Sequence, residues 1–395
     1  MKRRRLILKT HTHTAAFAVV SIGALFALHV AVANFTSISY SNPIAPAIKT
    51  PSANVVAVAP SPKVVHLPTP NAVKAIYMTS WVSGTPYWRA ELVKFIETTE
   101  LNSIVIDVKD YSGTVSFSTG SPTIANIGSE EIRVNDLREF IAELHQKNIY
   151  TIARITVFQD PVFSKARPSE GVQDARGGLW KDKNGLTYVD PASREFWEYI
   201  VEIARASESV GFDELNFDYI RYPSDGPVQY MTFPKSGASF VKADKLEEFF
   251  AYVNEHTNDL GVPISADLFG FVTEHTNDLN IGQVLERAAP HFDYISPMVY
   301  PSHYPPGHLG YKNPALYPYE VVKYAMDSGA ARLVAASTTP LKLRPWLQDF
   351  DLGADYDAVM VRKQIQATYD AGLTSWMIWD PANRYTRGAF ELEVQ

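Results

Sequence analysis

GFDELNFDYIRYPSDG, residues 211–226, is a short β-type run that stops at a Tyr-Ile-Arg-Tyr-Pro corner with a turn behind it. This reading places Asn216, Asp218 and Arg221 where a strand meets its following loop. In a β/α barrel that end of every strand faces one rim, and the chemistry is done there. A carboxylate beside a guanidinium and two tyrosines suits sugar hydrolysis. The plain alternative is a strand terminus carrying a surface salt bridge.

Working outward, the same type of run recurs at Val73–Thr79, Ser103–Val108, Tyr150–Ile155, Glu214–Asp218, Pro263–Asp267, Tyr294–Val299, Leu333–Ser337 and Ser375–Trp379. Helix-like stretches fall between them at Trp88–Thr99, Val134–Lys147, Ser193–Ser209, Lys242–Thr257, Ile281–Ala289, Pro314–Asp327 and Tyr356–Ala371. Several open on capping signals, such as Ser193 and Asn313-Pro314, and several close on glycine at 211, 261, 329 and 372. Eight strands alternating with helices predict a single (β/α)₈ TIM barrel over residues 72–395. A doubly wound open sheet is the alternative, but no Gly-rich phosphate turn follows the first strand.

The chain has 395 residues, 46% of them hydrophobic, and no cysteine, which excludes thiolate metal sites and thiol catalysis. Residues 1–33 open on Met1-Lys2-Arg3-Arg4-Arg5 and continue into an uncharged, largely apolar run from Ala15 to Ala33. They predict a signal anchor or signal peptide, with the barrel outside the cytoplasm. Residues 34–71 are rich in Pro, Ser and Ala and read as an extended linker. Beyond residue 70 the chain carries 29 basic and 43 acidic side chains, a net of −14. So acidic a body is a poor nucleic-acid binder, and its long-range charge suits a neutral or cationic ligand.

Placing the runs on a barrel gathers charged and aromatic residues at one rim: Trp81 after strand one, Asp107, Lys109 and Asp110 at strand two, Arg154 at strand three, Asp218 and Arg221 at strand four. Asp267 ends strand five, Met298 and Tyr300 end strand six, and Trp379-Asp380 end strand eight. Aromatic faces stack on the apolar surface of a sugar ring, and short polar groups bind its hydroxyls. Asp218 and Asp267 lie on adjacent strands and form the expected catalytic pair, with Arg154 or Arg221 beside one and Phe269 beside the other. Glu274 is the alternative proton donor. The expected substrate contacts are Trp81, Asp107, Lys109, Arg154, Asn216, Arg221, Tyr300, Trp379 and Asp380, although a rim salt bridge or a loop cap is the structural reading for several. His303 and His308 are expected to shape a subsite. No metal or other cofactor is implied, because the barrel lacks His-x-His and His-x-x-x-His spacing, and no Gly-x-Ser-x-Gly marks a serine esterase.

These motifs carry a family resemblance. GFDELNFDYIRYPSDG, SADLFGFVT, ISPMVYPSHY and SWMIWDPANRY resemble the block motifs of the bacterial "putative glycoside hydrolase" (β/α)₈ domain, formerly a domain of unknown function and similar to α-amylase-like hydrolases. The resemblance covers about residues 73–390 and implies Asp218 as the leading catalytic position. Asp267 stands where amylase-like enzymes usually carry Glu. Gly211-Phe212-Asp213 and Asp218, with Met298-x-Tyr300, also resemble the chitinase-type (family 18) motifs, but their catalytic Glu falls at Ile220 and Asn216 replaces an Asp. The expected function is hydrolysis of a cell-wall or extracellular polysaccharide. The competing expectation is a non-catalytic polysaccharide-binding barrel at the cell surface.

Overall fold

The computed structural model describes residues 64–392. The expected signal anchor (1–33) and all of the expected linker upstream of residue 64 lie outside the described residues. Among the described residues no helix is long and apolar enough to cross a membrane.

Eight parallel strands close into a barrel: β1 Lys74–Met78, β2 Ser103–Lys109, β3 Tyr150–Thr156, β4 Glu214–Asp218, β5 Ile264–Phe269, β6 Tyr294–Met298, β7 Trp346–Gln348 and β8 Trp376–Trp379. They follow one another around the ring in chain order, with β8 pairing back onto β1. β2 and β3 are buried on both faces throughout, which is why they read as near-continuous apolar runs. One side of the barrel wall packs inward around Ala75, Tyr77, Val105, Tyr150, Ile152 and Met377. The alternate residues, among them Ile76, Ile104, Ile106 and Ala153, pack outward beneath the helices. The barrel interior is therefore a filled core, and a ligand has room only at a mouth.

The outer helices are α1 Pro86–Glu97, α2 Leu137–Gln146, α3 Arg194–Val210, α4 Lys242–Thr257, α5 Leu285–Ala288, α6 Pro318–Ala335 and α7 Ala358–Asp370. In α3 the Ser193 hydroxyl caps the start by accepting the Phe196 N–H. Its buried stripe of Phe196, Trp197, Ile200, Ile203 and Ala204 faces the wall, and Gly211 at φ 120° ends it.

One strand differs from expectation. Leu333–Ser337 is not the seventh strand, because Leu333–Ala335 form the last residues of α6, and the strand is Trp346–Gln348. The misleading signal is Gly329, which reads as a helix terminator but lies inside α6. A Cβ there would come within 3.2 Å of Leu343 Cδ1 and 3.3 Å of Thr273 Cβ, so this glycine serves close packing rather than a cap. The helix expected at Ile281–Ala289 is only Leu285–Ala288.

Residues upstream of Ala72 also contribute. Leu67 packs against the inward-facing cluster, its N–H donates to Asp213 Oδ1 at 2.7 Å, and Thr69 Oγ1 lies 3.1 Å from the Tyr150 hydroxyl. At this amino-terminal floor Arg344 Nη1 donates to both carboxylate oxygens of Glu214, at 2.8 and 2.9 Å.

Candidate active site

At the opposite mouth, the carboxyl ends of the strands open into a pocket of about 450 Å³, within the range of small-ligand sites. Arg154, Asp218, Arg221, Asp267, Tyr300 and Trp379 line it, as do Tyr219, Phe269, Phe271, Met298, His303, Tyr304 and Trp346. β4 and β5 pair in parallel with Asn216 opposite Ser265 and Phe217 opposite Ala266. One step further along each strand come Asp218 and Asp267, projecting to the same face as Asn216 and Ser265 two residues earlier.

A single guanidinium organises the acids. Arg154, on β3, donates through Nη1 to Asp107 at 2.6 Å and through Nη2 to Asp218, and its Nε lies 3.8 Å from Asp267 Oδ2. Despite the opposing effect of burial, Asp218 and Asp107 push its pKa well above the usual value, so it is a permanent cation. Asp218 receives a second donor, the N–H of Tyr219, at 2.5 Å. Tyr219 adopts a left-handed backbone at φ 54°, unusual for a non-glycine residue and the kind of strain that collects at functional sites.

Asp267 lives differently. Its Oδ1 accepts from two neutral donors, Asn216 Nδ2 and Trp346 Nε1, both at 2.9 Å. Burial, followed by the repulsion of Asp218, raises its pKa well above the usual carboxylate range. Two acids near one cation thus split their roles. Asp218 takes the direct ion pair, and the surroundings of Asp267 favour its neutral form. Burial also raises the Tyr300 hydroxyl far above its ordinary range, so it can donate a hydrogen bond within the pocket.

The aromatic wall is built by stacking. Trp379 lies on Tyr77 with ring centroids 3.9 Å apart, and Trp346 meets Trp379 edge-on at 5.7 Å. The Arg154 guanidinium sits 5.0 Å from the Trp379 ring. Phe269 and Tyr219 flank the guanidinium of Arg221 at 4.7 and 5.2 Å. The loops after β3 and β4 meet in a two-stranded ribbon, Gln173–Asp174 with Met231–Thr232. Trp180 Nε1 ties the same loops together by donating to Pro227 O at 3.1 Å.

Several expected contacts do not line this pocket. Trp81 is 61% exposed on the short helix Ser80–Ser83, under the guanidinium of Arg133 at 4.3 Å. Asp110 pairs with that same Arg133. Asp107 lies behind Arg154 and accepts from the Tyr77 hydroxyl. Lys109 is fully buried, donating to Thr156 O at 2.6 Å and pairing with Asp160 at 3.0 Å. Asn216 is fully buried beside Asp267 rather than open to the pocket. Asp380 caps the closing loop, accepting from the N–H of Ala382 at 2.6 Å. Glu274 lies beside Tyr304 and His308 rather than on the pocket wall, and burial pushes its carboxyl to about 7. His303 lines the pocket, whereas His308 packs against Tyr304 behind it. Trp346 and Tyr77 do not stand out in the sequence as site residues, whereas Tyr219, one of the two tyrosines at the Tyr-Ile-Arg-Tyr-Pro corner, does line the pocket. Trp346 is hidden in sequence because the seventh strand has only three residues.

The family described as "Putative glycosyl hydrolase domain" matches residues 75–385. Among solved structures, the glycoside hydrolase domain of PgaB (BpsB) from Bordetella bronchiseptica aligns with a TM-score of 0.58 at 13% identity, over 82% of this chain and 100% of that one. Alpha-L-fucosidase isoenzyme 2 from Paenibacillus thiaminolyticus aligns at a TM-score of 0.51 and 13% identity, covering 80% of this chain and 48% of that one. A hypothetical protein from Ruminiclostridium thermocellum ATCC 27405 is 35% identical over 49% of this chain and 96% of its own, with a TM-score of 0.45. No curated protein matches. At 13% identity the PgaB domain and the fucosidase share the barrel with this chain and nothing finer. The family match spans almost the whole barrel, from the second residue of β1 past the end of β8, and the chain belongs to this family of glycosyl hydrolase-like domains.

Proposed function

We propose that the protein is a glycoside hydrolase that cleaves an oligo- or polysaccharide with Asp218 and Asp267 as its two carboxyl groups. The observation that carries this reading is the divergent environment of the pair. Asp218 is ion-paired to Arg154, while Asp267 is buried and bonded to neutral donors, and burial raises its pKa well above the usual carboxylate range. Glycoside cleavage asks for that division of labour. Asp267 gives its proton to the leaving glycosidic oxygen as the bond to the anomeric carbon breaks. Asp218 faces the positive charge that develops on the sugar, either capturing the anomeric carbon or directing a water onto it. Arg154 positions both acids, and Trp379 offers an aromatic face to a sugar ring. The basic start and apolar run of residues 1–33 support export, with the barrel acting on an extracellular or cell-wall glycan outside the cytoplasm.

The test is a glycan panel incubated with the full chain, with new reducing ends as the readout. Asp218→Asn is expected to abolish cleavage, by at least about a thousandfold, while the thermal transition stays in place. Near-normal turnover in that variant refutes the assignment. Saturable binding with no new reducing ends from the unmodified chain would instead identify a polysaccharide-binding barrel.

A further inference from the structure

Arg221 lines the pocket as a cation that no carboxylate among the described residues neutralises. It is only 8% exposed, yet among the described residues no carboxylate lies within 4.0 Å of its guanidinium. Its hydrogen bonds are both through Nη1 and both long: Tyr222 O at 3.4 Å and Ser224 Oγ at 3.2 Å. The Nε and Nη2 edge makes none among the described residues, and it is not sealed from solvent. The side chain is nevertheless held in place between the rings of Phe269 and Tyr219. A guanidinium packed against two rings, with one planar edge unpaired and open to the pocket, is placed to be completed by a ligand anion.

The acids around it are already engaged. Asp218 is paired with Arg154, and Asp225, at the rim of the pocket, with Lys183 at 3.3 Å. Asp267 is occupied by Asn216 Nδ2 and Trp346 Nε1, which both donate to its Oδ1 at 2.9 Å, and burial favours its neutral form. The body is acidic overall, but at physiological salt its charge is screened beyond about 8 Å, so the group that a ligand meets inside the pocket decides. Parallel N–H groups of this kind pair with two oxygens of one planar anion at once, a match that an ammonium or a hydroxyl cannot reproduce.

We infer that the sugar bound in this pocket carries an oxyanion substituent, and that the free edge of Arg221 grips it bidentately. The inference rests on the reading of the pocket as a carbohydrate site and adds the class of sugar: one bearing a carboxylate, as in a uronic acid or an acid-ether-substituted sugar, or bearing a sulfate ester. Arg221 is then a specificity-determining residue and not a support for the catalytic acids, which it does not touch.

Binding separates this from the hydrolytic reading. The full chain is titrated with methyl glucuronide, methyl glucoside and methyl glucoside 6-sulfate, both anomers of each, by calorimetry or ligand-observed NMR. At least one charged probe is expected to bind ten times or more tighter than the neutral one. A carboxylate source favours the glucuronide and a sulfate source favours the 6-sulfate. Arg221→Gln should erase the preference for the charged probe, and Arg221→Lys should retain part of it in a salt-sensitive form. Equal affinity for all three probes overturns the inference. So does a preference that survives Arg221→Gln in a variant that melts like the parent. If charged probes bind selectively but no glycan is cleaved, the hydrolytic reading fails and this one stands. Cleavage of neutral glycans in preference to charged ones has the opposite consequence.

Discussion

Asp267 shows how much of this site is a matter of a single proton. Burial and the nearby Asp218 raise the pKa of this carboxyl in the native state above the ordinary value of about 3.9 that the unfolded chain keeps. The stability that it contributes is therefore full below pH 3.9 and declines as pH climbs towards its raised native value, by about 1.4 kcal/mol per unit. Asp267→Asn removes that decline. Denaturant titrations at pH 5 and pH 7 should show the variant gaining on the parent as pH rises; identical slopes would mean that Asp267 is ionised in the fold. Activity should move the opposite way. The parent should lose turnover on the alkaline side as Asp267 gives up its proton, and the variant should lose about a hundredfold or more at every pH. The acidic residues themselves were legible in the sequence, since strand ends in a barrel face one rim. What split them was not: it depends on Trp346, a donor 79 positions further along the chain, and on the choice Arg154 makes between two carboxylates.

At the scale of elements, the charged residues of β2 turn out to hold strands and loops together. Lys109, expected at the substrate, joins the end of β2 to the loop after β3 through Thr156 O and Asp160. Asp160 in turn caps the short helix Pro161–Ala166, accepting the N–H of Val162 at 3.0 Å and of Phe163 at 2.7 Å. Removing one member of a fully buried pair strands the other charge, so Lys109→Met should cost about 3–5 kcal/mol in denaturant unfolding. Because it makes no contact with the pocket, affinity for the glycan identified in the reducing-end assay should be unchanged below the transition; a tenfold weaker affinity would return Lys109 to the substrate. Sequence shows that a lysine stands at a strand end, but not whether it points over the rim or beneath it. The seventh strand was illegible for a related reason. Three residues are too few for a periodic signal, and the apolar run at Leu333 is the last turn of an 18-residue helix whose internal Gly329 mimics a stop.

Taken whole, one mouth of the barrel opens into the pocket and the other is closed by packing and ion pairs, the division that barrels commonly show. The floor is closed by Glu214 and Arg344 and by the irregular segment of residues 64–70. Leu67 is partly buried there, and His66 Nε2 lies 2.9 Å from Glu208. A chain beginning at residue 72 should therefore be less stable than one beginning at residue 64, by about 1–3 kcal/mol for the lost apolar contact and hydrogen bonds. Chemical denaturation of the two measures it, and equal midpoints and slopes would show that this segment is mere spacer. Their hydrolytic rates below the transition should agree, since the floor lies at the mouth away from the pocket.

Alternating strand and helix signals, the acids at the ends of β4 and β5 and the aromatic content of the rim all follow from the sequence, because period, capping and strand polarity are local. The tertiary structure alone decides which carboxyl is pushed towards its neutral form, which arginine has no carboxylate within reach among the described residues, and which lysine is sealed away. Those outcomes depend on distances between side chains dozens of residues apart, and on the water that their packing excludes.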